Sequence, residues 1–234
     1  QGKTFGRVEL YNAVTGLSTV ISEEEYTNTE ESTNSTGRVL EAITTSNGLI
    51  YALGRTKTNG VYQMQIMVYN REGELQKTFP ASAVTAFLGL ENPLGFRMVG
   101  DYFALQQYST PAMQLFKIEG ETVVAVTEVL TDASISAGSW SQDKCPYFYW
   151  AEAPDYYNDE TVALQEFSVL DTRNGSIRQC KVEIDSENPS LNGTGVGITN
   201  ENGDLLLYMQ PAFLDSEAQV YWVKRQTIDR LLGE

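Results

Sequence analysis

Histidine is absent from this sequence of 234 residues. Histidine is the most frequent general base near neutral pH and the most frequent metal ligand in proteins. Its absence excludes Ser-His-Asp catalysis, Cys-His catalysis and histidine-ligated zinc within the chain. Any enzymatic hypothesis must therefore use other side chains.

Cysteine is almost absent, since Cys145 and Cys180 are the only two. Two cysteines are too few for a disulfide-stapled scaffold or a four-cysteine zinc site. The strand assignment given below puts them on the second and fourth strands of one sheet. The strand between them would hold them about 10 Å apart. The sequence therefore favours two free thiols over a disulfide.

Basic residues and long apolar runs are also scarce. The chain has 16 Lys and Arg against 31 Asp and Glu, for a formal net charge of −15. Such a charge repels a phosphate backbone, so we expect no nucleic-acid partner. No run approaches the roughly 20 apolar residues that span a bilayer, and the N-terminus lacks a signal-like run. We expect no transmembrane segment in this chain. The sequence leaves open whether a leader has been removed upstream.

The sequence is rich in strand signals. Short runs of Val, Ile, Tyr, Phe and Thr alternate with Gly, Asn, Asp and Pro, and helical periodicity is rare. The clearest unit predicts strands over 39–45, 49–53, 62–69 and 75–79. Its turns carry Asn47-Gly48 and Glu72-Gly73, which tolerate positive φ. Four antiparallel strands of this size form one propeller blade.

The turn that opens the second strand recurs near Gly48, Asp101, Lys144 and Gly203. The intervals between successive turns have the length of a blade but vary. Propellers tolerate such variation in the loops between their strands better than solenoids do. Residues 7–12 and 18–21 resemble the last two strands of an incomplete first blade. The last blade is predicted over 195–199, 204–210 and 219–225, with 227–232 as a fourth strand or a short helix.

These patterns predict an all-β chain that forms a single β-propeller domain over residues 1–234. Its blades are four-stranded and antiparallel, about four are complete, and a partial one lies at the N-terminus. Two arrangements fit this prediction. One is a five-bladed ring, and the other is a fragment of a larger propeller that is truncated at its N-terminus.

One blade carries a family resemblance in its sequence. The phrase Asn47-Gly48-Leu49-Ile50-Tyr51, followed by Tyr69-Asn70-Arg71-Glu72-Gly73, resembles the blades of bacterial extracytoplasmic β-propellers, including the TolB-like and six-bladed lipoprotein families. The resemblance implies a periplasmic, secreted or lipoprotein-anchored binding scaffold. It carries over no catalytic residue.

Residues 145–160 are the segment most unusual in composition, because six aromatic side chains and four carboxylates lie within these sixteen residues. Such a mixture stacks on sugar faces and accepts hydroxyl protons. The candidate binding residues are Trp150, Asp155, Tyr156, Tyr157 and Asp159, and a Pro-led loop would expose those after Trp150. The competing interpretation is that the aromatics of 147–150 pack on the two faces of a buried strand.

A pair of carboxylates would support a carbohydrate-active enzyme, a glycosidase or lyase, as the alternative function. Glycosidases hold two acids about 5 to 9.5 Å apart. Glu41 and Asp101 are the candidates, because both fall on predicted inner strands near a central channel. The competing interpretation is that these acids are simply hydrated.

We expect no cofactor, and calcium is the metal that best suits an acidic chain without histidine. The weak candidate ligands are Asp155, Asp159, Asn200 and Asp204. These residues fall in two loops, 155–160 and 200–204. Neither loop has the ligand spacing of an EF-hand, and Asn202-Gly203 already indicates a hairpin turn. For both loops we favour a purely structural role over calcium binding.

The C-terminal run 219–225 is the densest basic and aromatic cluster of the chain. We expect Val220, Trp222 and the stems of Lys224 and Arg225 to close the last blade, with a partner-facing edge as the alternative. Taken together, the sequence predicts a non-catalytic extracytoplasmic scaffold that presents loops to a protein or glycan partner.

Overall fold

The computed structural model of the chain describes residues 4–26, 38–58, 61–110, 112–131, 133–137, 145–152, 164–183, 191–200, 202–211 and 219–233. These residues form β-strands and two helices. The helices are α1 (Ser82–Leu88) and α2 (Arg225–Leu232). The strands are β1 (Thr4–Asn12), β2 (Leu17–Tyr26), β3 (Arg38–Ser46), β4 (Leu49–Thr58), β5 (Val61–Tyr69), β6 (Leu75–Pro80), β7 (Pro93–Val99), β8 (Tyr102–Gln107), β9 (Ala112–Glu119), β10 (Thr122–Ala125), β11 (Leu130–Thr131), β12 (Ala133–Ala137), β13 (Tyr147–Glu152), β14 (Leu164–Asp171), β15 (Ser176–Glu183), β16 (Leu191–Thr199), β17 (Leu205–Pro211) and β18 (Gln219–Val223).

The strands pair mainly in chain order, as up-and-down antiparallel sheets. A two-stranded sheet β1-β2 precedes a four-stranded sheet β3-β4-β5-β6. Next come β7-β8-β9-β10, with β11 also on β9, then β12-β13-β14-β15, then β16-β17-β18. This confirms the predicted all-β fold class, with four-stranded sheets of the kind that form propeller blades after a partial sheet at the N-terminus.

The first four-stranded sheet shows why the turn residues located its strands. Asn47 and Gly48 join β3 to β4 with φ values of 49° and 77°, which suits the right-handed twist of a tight hairpin. Gly73 has a φ of 85° in the turn between β5 and β6. The predicted strands agree with the observed ones except β4, which continues to Thr58.

The packing of Cα atoms divides the chain into two compact units. The N-terminal unit comprises Gln1–Phe96, Leu105–Ser109 and Gln114–Glu128. The C-terminal unit comprises Arg97–Ala104, Thr110–Met113 and Val129–Glu234. In the N-terminal unit, Leu10 and Ile21 of the β1-β2 hairpin pack on a core cluster of the β3–β6 sheet.

The core of the C-terminal unit is built around β13, whose aromatic residues are buried on both faces. Tyr147 and Tyr149 share one cluster with Cys145 and Cys180, which are both free and buried, as the sequence favoured. Burial raises the pKa of the Cys180 thiol, although Arg178 acts in the opposite direction. Cys180 therefore stays protonated and unreactive near neutral pH.

The last sheet departs from the expectation in two ways. Residues 227–232 belong to α2, so the helical alternative is the correct one. The prediction that Val220 and Trp222 close the blade is wrong, because they are 57% and 46% exposed. Val223 and the partly buried Tyr221 contact the core instead.

Candidate interaction surface

Helix α1 links the sheet β3–β6 to β7 and is held by its apolar side. Val84, Phe87 and Leu88 are buried, which fixes the helix although no side chain caps its N-terminus. Gly89 ends the helix at a φ of 57°, a conformation that an L-residue with a side chain rarely adopts. The left-handed φ of Gly89 therefore stops α1 and lets the chain change direction directly after it.

Polar side chains from neighbouring strands hold the loop after α1. The Arg55 guanidinium on β4 donates to the carbonyl oxygens of Leu90 at 3.2 Å and Glu91 at 2.6 Å. The Gln107 amide on β8 donates to the carbonyl oxygen of Phe87 at 2.6 Å. The bond from Gln107 satisfies a carbonyl group in the last turn of α1, and the bonds from Arg55 satisfy two carbonyl groups of the loop that follows it.

The loop held in this way presents large apolar side chains to solvent. Leu90 is 69% exposed and Tyr108 is 73% exposed, and Leu94 is also exposed. The backbone N–H of Tyr108 donates to the carbonyl of Asn92 at 3.2 Å, which ties the end of β8 to the loop. Leu90, Leu94 and Tyr108 therefore lie at the same end of the β7-β8 hairpin.

Two further side chains border these residues. The Arg55 guanidinium lies 5.8 Å from the ring centre of Tyr62, within the range of a cation–π interaction. We define the α1–β7 surface as Arg55, Tyr62, Leu90, Leu94 and Tyr108. Tyr and Arg are enriched at the energetically dominant positions of protein interfaces, so the composition suits binding.

The border of this surface also carries a carboxylate with unused hydrogen-bonding capacity. Within the described part of the chain, the buried Oε2 atom of Glu91 has no hydrogen-bond donor. A buried acceptor without a donor costs free energy, and because this atom is buried it is not part of the exposed surface.

The polar cluster at the β14-β15 turn forms internal hydrogen bonds, unlike the α1–β7 surface. Arg173 donates to both carboxylate oxygens of Asp171, at 3.0 and 2.9 Å, and to the Tyr147 hydroxyl at 2.9 Å. The Tyr147 hydroxyl donates to Asp229 on α2 at 2.7 Å. Both oxygens of the buried Asp171 are engaged, and the cluster connects α2 to β13 and the turn.

Asp204 forms a second internal network at the start of β17. It accepts hydrogen bonds from Lys224 at 2.9 Å, from the backbone N–H of Arg225 at 3.1 Å and from Asn200 at 3.0 Å. Burial opposes ionisation of Asp204, but these hydrogen bonds outweigh it and lower the pKa of the carboxyl group. The network anchors the start of α2.

The residues predicted to bind a partner fall into two groups. The structure places Trp150 in the core, at 5% exposure, in agreement with the competing interpretation of 147–150 as a buried strand. Asp155, Tyr156, Tyr157 and Asp159 lie outside the described residues.

The predicted catalytic residues Glu41 and Asp101 belong to different compact units, and of the predicted calcium ligands only Asn200 and Asp204 are among the described residues. Glu41 occupies a β-bulge of β3 in the N-terminal unit, whereas Asp101 is exposed in the β7-β8 turn and belongs to the C-terminal unit. Asn200 and Asp204 lie together, but the Asp204 carboxylate already forms an ion pair with Lys224 and accepts the backbone N–H of Arg225. Among the described residues, no group of three acidic or cysteine side chains is arranged to hold a metal ion.

Sequence reasoning missed the α1–β7 surface. Its signal was the run from Leu88 to Leu94, in which leucines flank a glycine and a proline. The decisive contact comes from Arg55, which lies far away in sequence and on another strand. Sequence spacing alone gives no indication of that contact.

Comparison with known proteins adds likenesses of fold only. No family model and no curated protein matches the chain. A prolyl endopeptidase structure is 15% identical, with a TM-score of 0.48 over 80% of this chain and 28% of its own. A putative 6-phosphogluconolactonase from Bacteroides fragilis is 12% identical, with a TM-score of 0.41 over 94% of this chain and 65% of its own.

The WD40 domain of Toxoplasma gondii coronin is 12% identical, with a TM-score of 0.34 over 80% of this chain and 43% of its own. The chain thus spans less than two thirds of each of these structures. At such scores they support no argument about ligand or activity. Among the described residues, neither helix has the length and apolar character that a bilayer crossing needs.

Proposed function

We propose that the chain is a non-catalytic binding scaffold that holds a protein or glycan partner on the α1–β7 surface. The observation that carries the proposal is the exposure of Leu90, Leu94 and Tyr108 around a loop fixed by Arg55 and Gln107. Exposed apolar side chains on a rigid loop bind with little loss of conformational entropy. Arg55 supplies a positive charge at its border.

We further propose that this scaffold works outside the cytoplasm, as a periplasmic, secreted or lipoprotein-anchored bacterial protein. The support is the resemblance of the phrase around Asn47-Gly48 and Asn70 to Gly73 to TolB-like and lipoprotein propellers. Fractionation of cells that express the full-length protein tests the location. Recovery in the cytoplasmic fraction alone would contradict it.

The second candidate function is a carbohydrate-active enzyme that uses Glu41 and Asp101. The observation in its favour is the β-bulge at Glu41, where the pairing shifts between Leu40 and Ala42. Bulges are frequent beside active sites because they redirect a side chain. Asp171 and Asp204 already form internal hydrogen bonds, so we do not propose them as a second pair of catalytic acids.

The test compares binding by wild type, by the double variant Leu90→Ser with Tyr108→Ala, and by the control Ile177→Ser. Ile177 is an exposed apolar residue of β15, so its variant matches the change in surface polarity. The labelled proteins are applied to a glycan array and to a membrane and secreted protein fraction. We expect the double variant alone to lose binding by at least tenfold.

Equal binding by all three proteins would contradict the proposal that the α1–β7 surface binds the partner. Hydrolysis or elimination of a polysaccharide by wild type, with loss in Glu41→Gln and in Asp101→Asn, would establish the enzymatic alternative instead.

A further inference from the structure

Asparagine followed by glycine is a chemically unstable pair, and it recurs in the turns of this chain. The backbone nitrogen of the glycine attacks the side-chain amide carbon of the asparagine, and glycine has no Cβ to obstruct that approach. Three such pairs lie in turns that the structure describes, Asn47-Gly48, Asn174-Gly175 and Asn202-Gly203. All three have glycine at the attacking position, so the surroundings of each turn decide which pair reacts first.

The turn at Asn174-Gly175 is held against this reaction. The Asn174 side chain accepts the backbone N–H of Ser176 at 2.8 Å and donates to the Asp171 carboxylate at 3.2 Å. The backbone N–H of Gly175 donates to the carbonyl of Asp171 at 2.8 Å. Both reacting groups are therefore engaged, and these hydrogen bonds must break before the nitrogen can reach the amide.

The turn at Asn202-Gly203 is restrained at the attacking nitrogen. The backbone N–H of Gly203 donates to the carbonyl of Asn200 at 3.0 Å, and Gly203 is buried. The backbone N–H of Asn202 is also held, by the side-chain oxygen of Asn200 at 2.9 Å. Attack by Gly203 therefore requires the turn to open and expose a buried residue.

The turn at Asn47-Gly48 has none of these restraints. Asn47 and Gly48 are both exposed, with φ values of 49° and 77°. Within the described part of the chain, no hydrogen bond holds the Asn47 side chain or the backbone N–H of Gly48. This turn can therefore rearrange for the attack at a lower cost than the other two.

A positive charge lies over the same turn. Nη2 of Arg71 is 2.8 Å from the position that a Cβ on Gly48 would take, and Nε is 3.2 Å from it. The attack requires the Gly48 nitrogen to lose its proton, and negative charge then passes to the amide oxygen of Asn47. A neighbouring cation stabilises both anionic forms. The guanidinium of Arg71 therefore favours the reaction.

We propose that Asn47 is a site of spontaneous deamidation, which modifies the β3-β4 turn as the protein ages. The Gly48 nitrogen forms a bond to Cγ of Asn47, and the amide nitrogen leaves as ammonia to give a five-membered succinimide. Water then opens the ring. Opening at the side-chain carbonyl gives aspartate, and opening at the backbone carbonyl gives isoaspartate.

The two products affect the sheet differently. Aspartate keeps the length of the backbone and tolerates positive φ, so β3 and β4 stay in register. Isoaspartate adds one backbone atom to a two-residue turn in which Ser46 pairs with Leu49. Because Ser46 and Ile50 are buried, we expect isoaspartate to disturb this end of the sheet. The turn contains no residue of the α1–β7 surface, so either proposal can fail without the other.

The test follows all three pairs in one sample of the intact chain at mildly alkaline pH. Peptide mapping by mass spectrometry measures deamidation at each asparagine, and enzymatic methylation of isoaspartate measures that product. We expect Asn47 to react at least tenfold faster than Asn174 and Asn202, since their hydrogen bonds must break first. A parallel incubation in concentrated urea removes the folded surroundings, so the three rates should then become similar.

Two matched variants test the contribution of charge. Arg71→Gln should slow deamidation of Asn47 severalfold in the folded chain but not in urea. The control Lys77→Gln removes another exposed cation, on β6, and should leave the rate unchanged. Both side chains are exposed, so each variant is expected to fold, and urea denaturation checks this.

Two results would overturn the proposal. The first is deamidation of Asn174 or Asn202 in the folded chain as fast as that of Asn47. The second is a ratio of the three rates that is the same with and without urea, because the folded surroundings would then not select the site. An unchanged rate in Arg71→Gln would overturn the role assigned to the guanidinium.

Discussion

Two turns of the molecule have the same hydrogen bonds in different surroundings. In one, Asn70 accepts the backbone N–H of Glu74 and its amide donates to the Glu74 carboxylate at 2.8 Å. In the other, Asn200 accepts the backbone N–H of Asp204 and its amide donates to the Asp204 carboxylate at 3.0 Å. The same local pattern of Asn, glycine and acid therefore forms the same turn twice.

The difference lies in what the acid contacts next. Glu74 is exposed, so water solvates the rest of its carboxylate. Asp204 is 6% exposed and holds both Lys224 and the first N–H of α2. Local sequence sets the shape of the turn, whereas the tertiary surroundings decide whether the turn is a solvated connection or an anchor for a helix.

The largest expected effect concerns the helix that the buried turn anchors. Ile228→Ala removes a fully buried side chain and should lower the free energy of unfolding by about 3 kcal/mol. Leu75→Ala, just after the exposed turn, changes a side chain that is half in solvent and should cost below about 0.5 kcal/mol. Urea denaturation measures both variants.

Thiol labelling gives an independent measurement of the same contrast. Cys145 and Cys180 are buried in the cluster that Ile228 completes, so their reaction with an aromatic disulfide reagent requires local opening. We expect Ile228→Ala to accelerate labelling at least tenfold and Leu75→Ala to leave it unchanged. Equal labelling rates would show that α2 does not cover this core.

The next effect compares the two acids directly. Asp204→Ala leaves the first N–H of α2 and the amide of Asn200 without their acceptor, and should cost about 2 kcal/mol. Glu74→Ala breaks one exposed hydrogen bond and should cost about 0.3 kcal/mol. The measurement is again urea denaturation. Similar losses in both variants would contradict the distinction between an anchor and a solvated turn.

The asparagines should differ less than the acids. Each accepts two backbone N–H groups of its own turn, so Asn70→Ala and Asn200→Ala should each cost about 1 kcal/mol. Asn200→Ala should cost slightly more, because the buried Asp204 also loses a donor. Replacement by Asp keeps the acceptor but loses the donor to Glu74 and sets two carboxylates together, so it should restore only part of the loss at Asn70. A loss at Asn70 that Asp does not restore would contradict the acceptor role.

The contrast between local turn geometry and tertiary packing also explains which parts of the fold the sequence predicts. Asn47-Gly48 and Gly73 need positive φ, and that local requirement located the strands of β3–β6. The orientation of β18 could not be found in this way, because Val220 and Trp222 are as apolar as Tyr221 and Val223. Only the packing of Val223 on the core decides which side faces inward.

The site was harder to predict than the fold for the same reason. Trp150 was selected by composition, although its strand is buried on both faces. Leu90 and Tyr108 were not selected, because their exposure depends on Arg55 holding the loop from a distant strand. A contact between residues that far apart leaves no periodic pattern in the sequence.

The smallest expected effect is the pH dependence of the anchor. The pKa of Asp204 is lower in the folded chain than its ordinary value of 3.8, since the donated hydrogen bonds outweigh burial. A lowered folded pKa adds stability at pH values above 3.8, and that stability is lost as the pH falls through the folded pKa. The difference in unfolding free energy between wild type and Asp204→Asn should thus be constant from pH 7 to about pH 5 and shrink at pH 3. The difference between wild type and Ile228→Ala involves no titrating group and should stay constant over the same range. If the Asp204→Asn difference instead grew in acid, Lys224 and Arg225 would not be stabilising an ionised carboxylate, and the buried turn would be an anchor by shape alone.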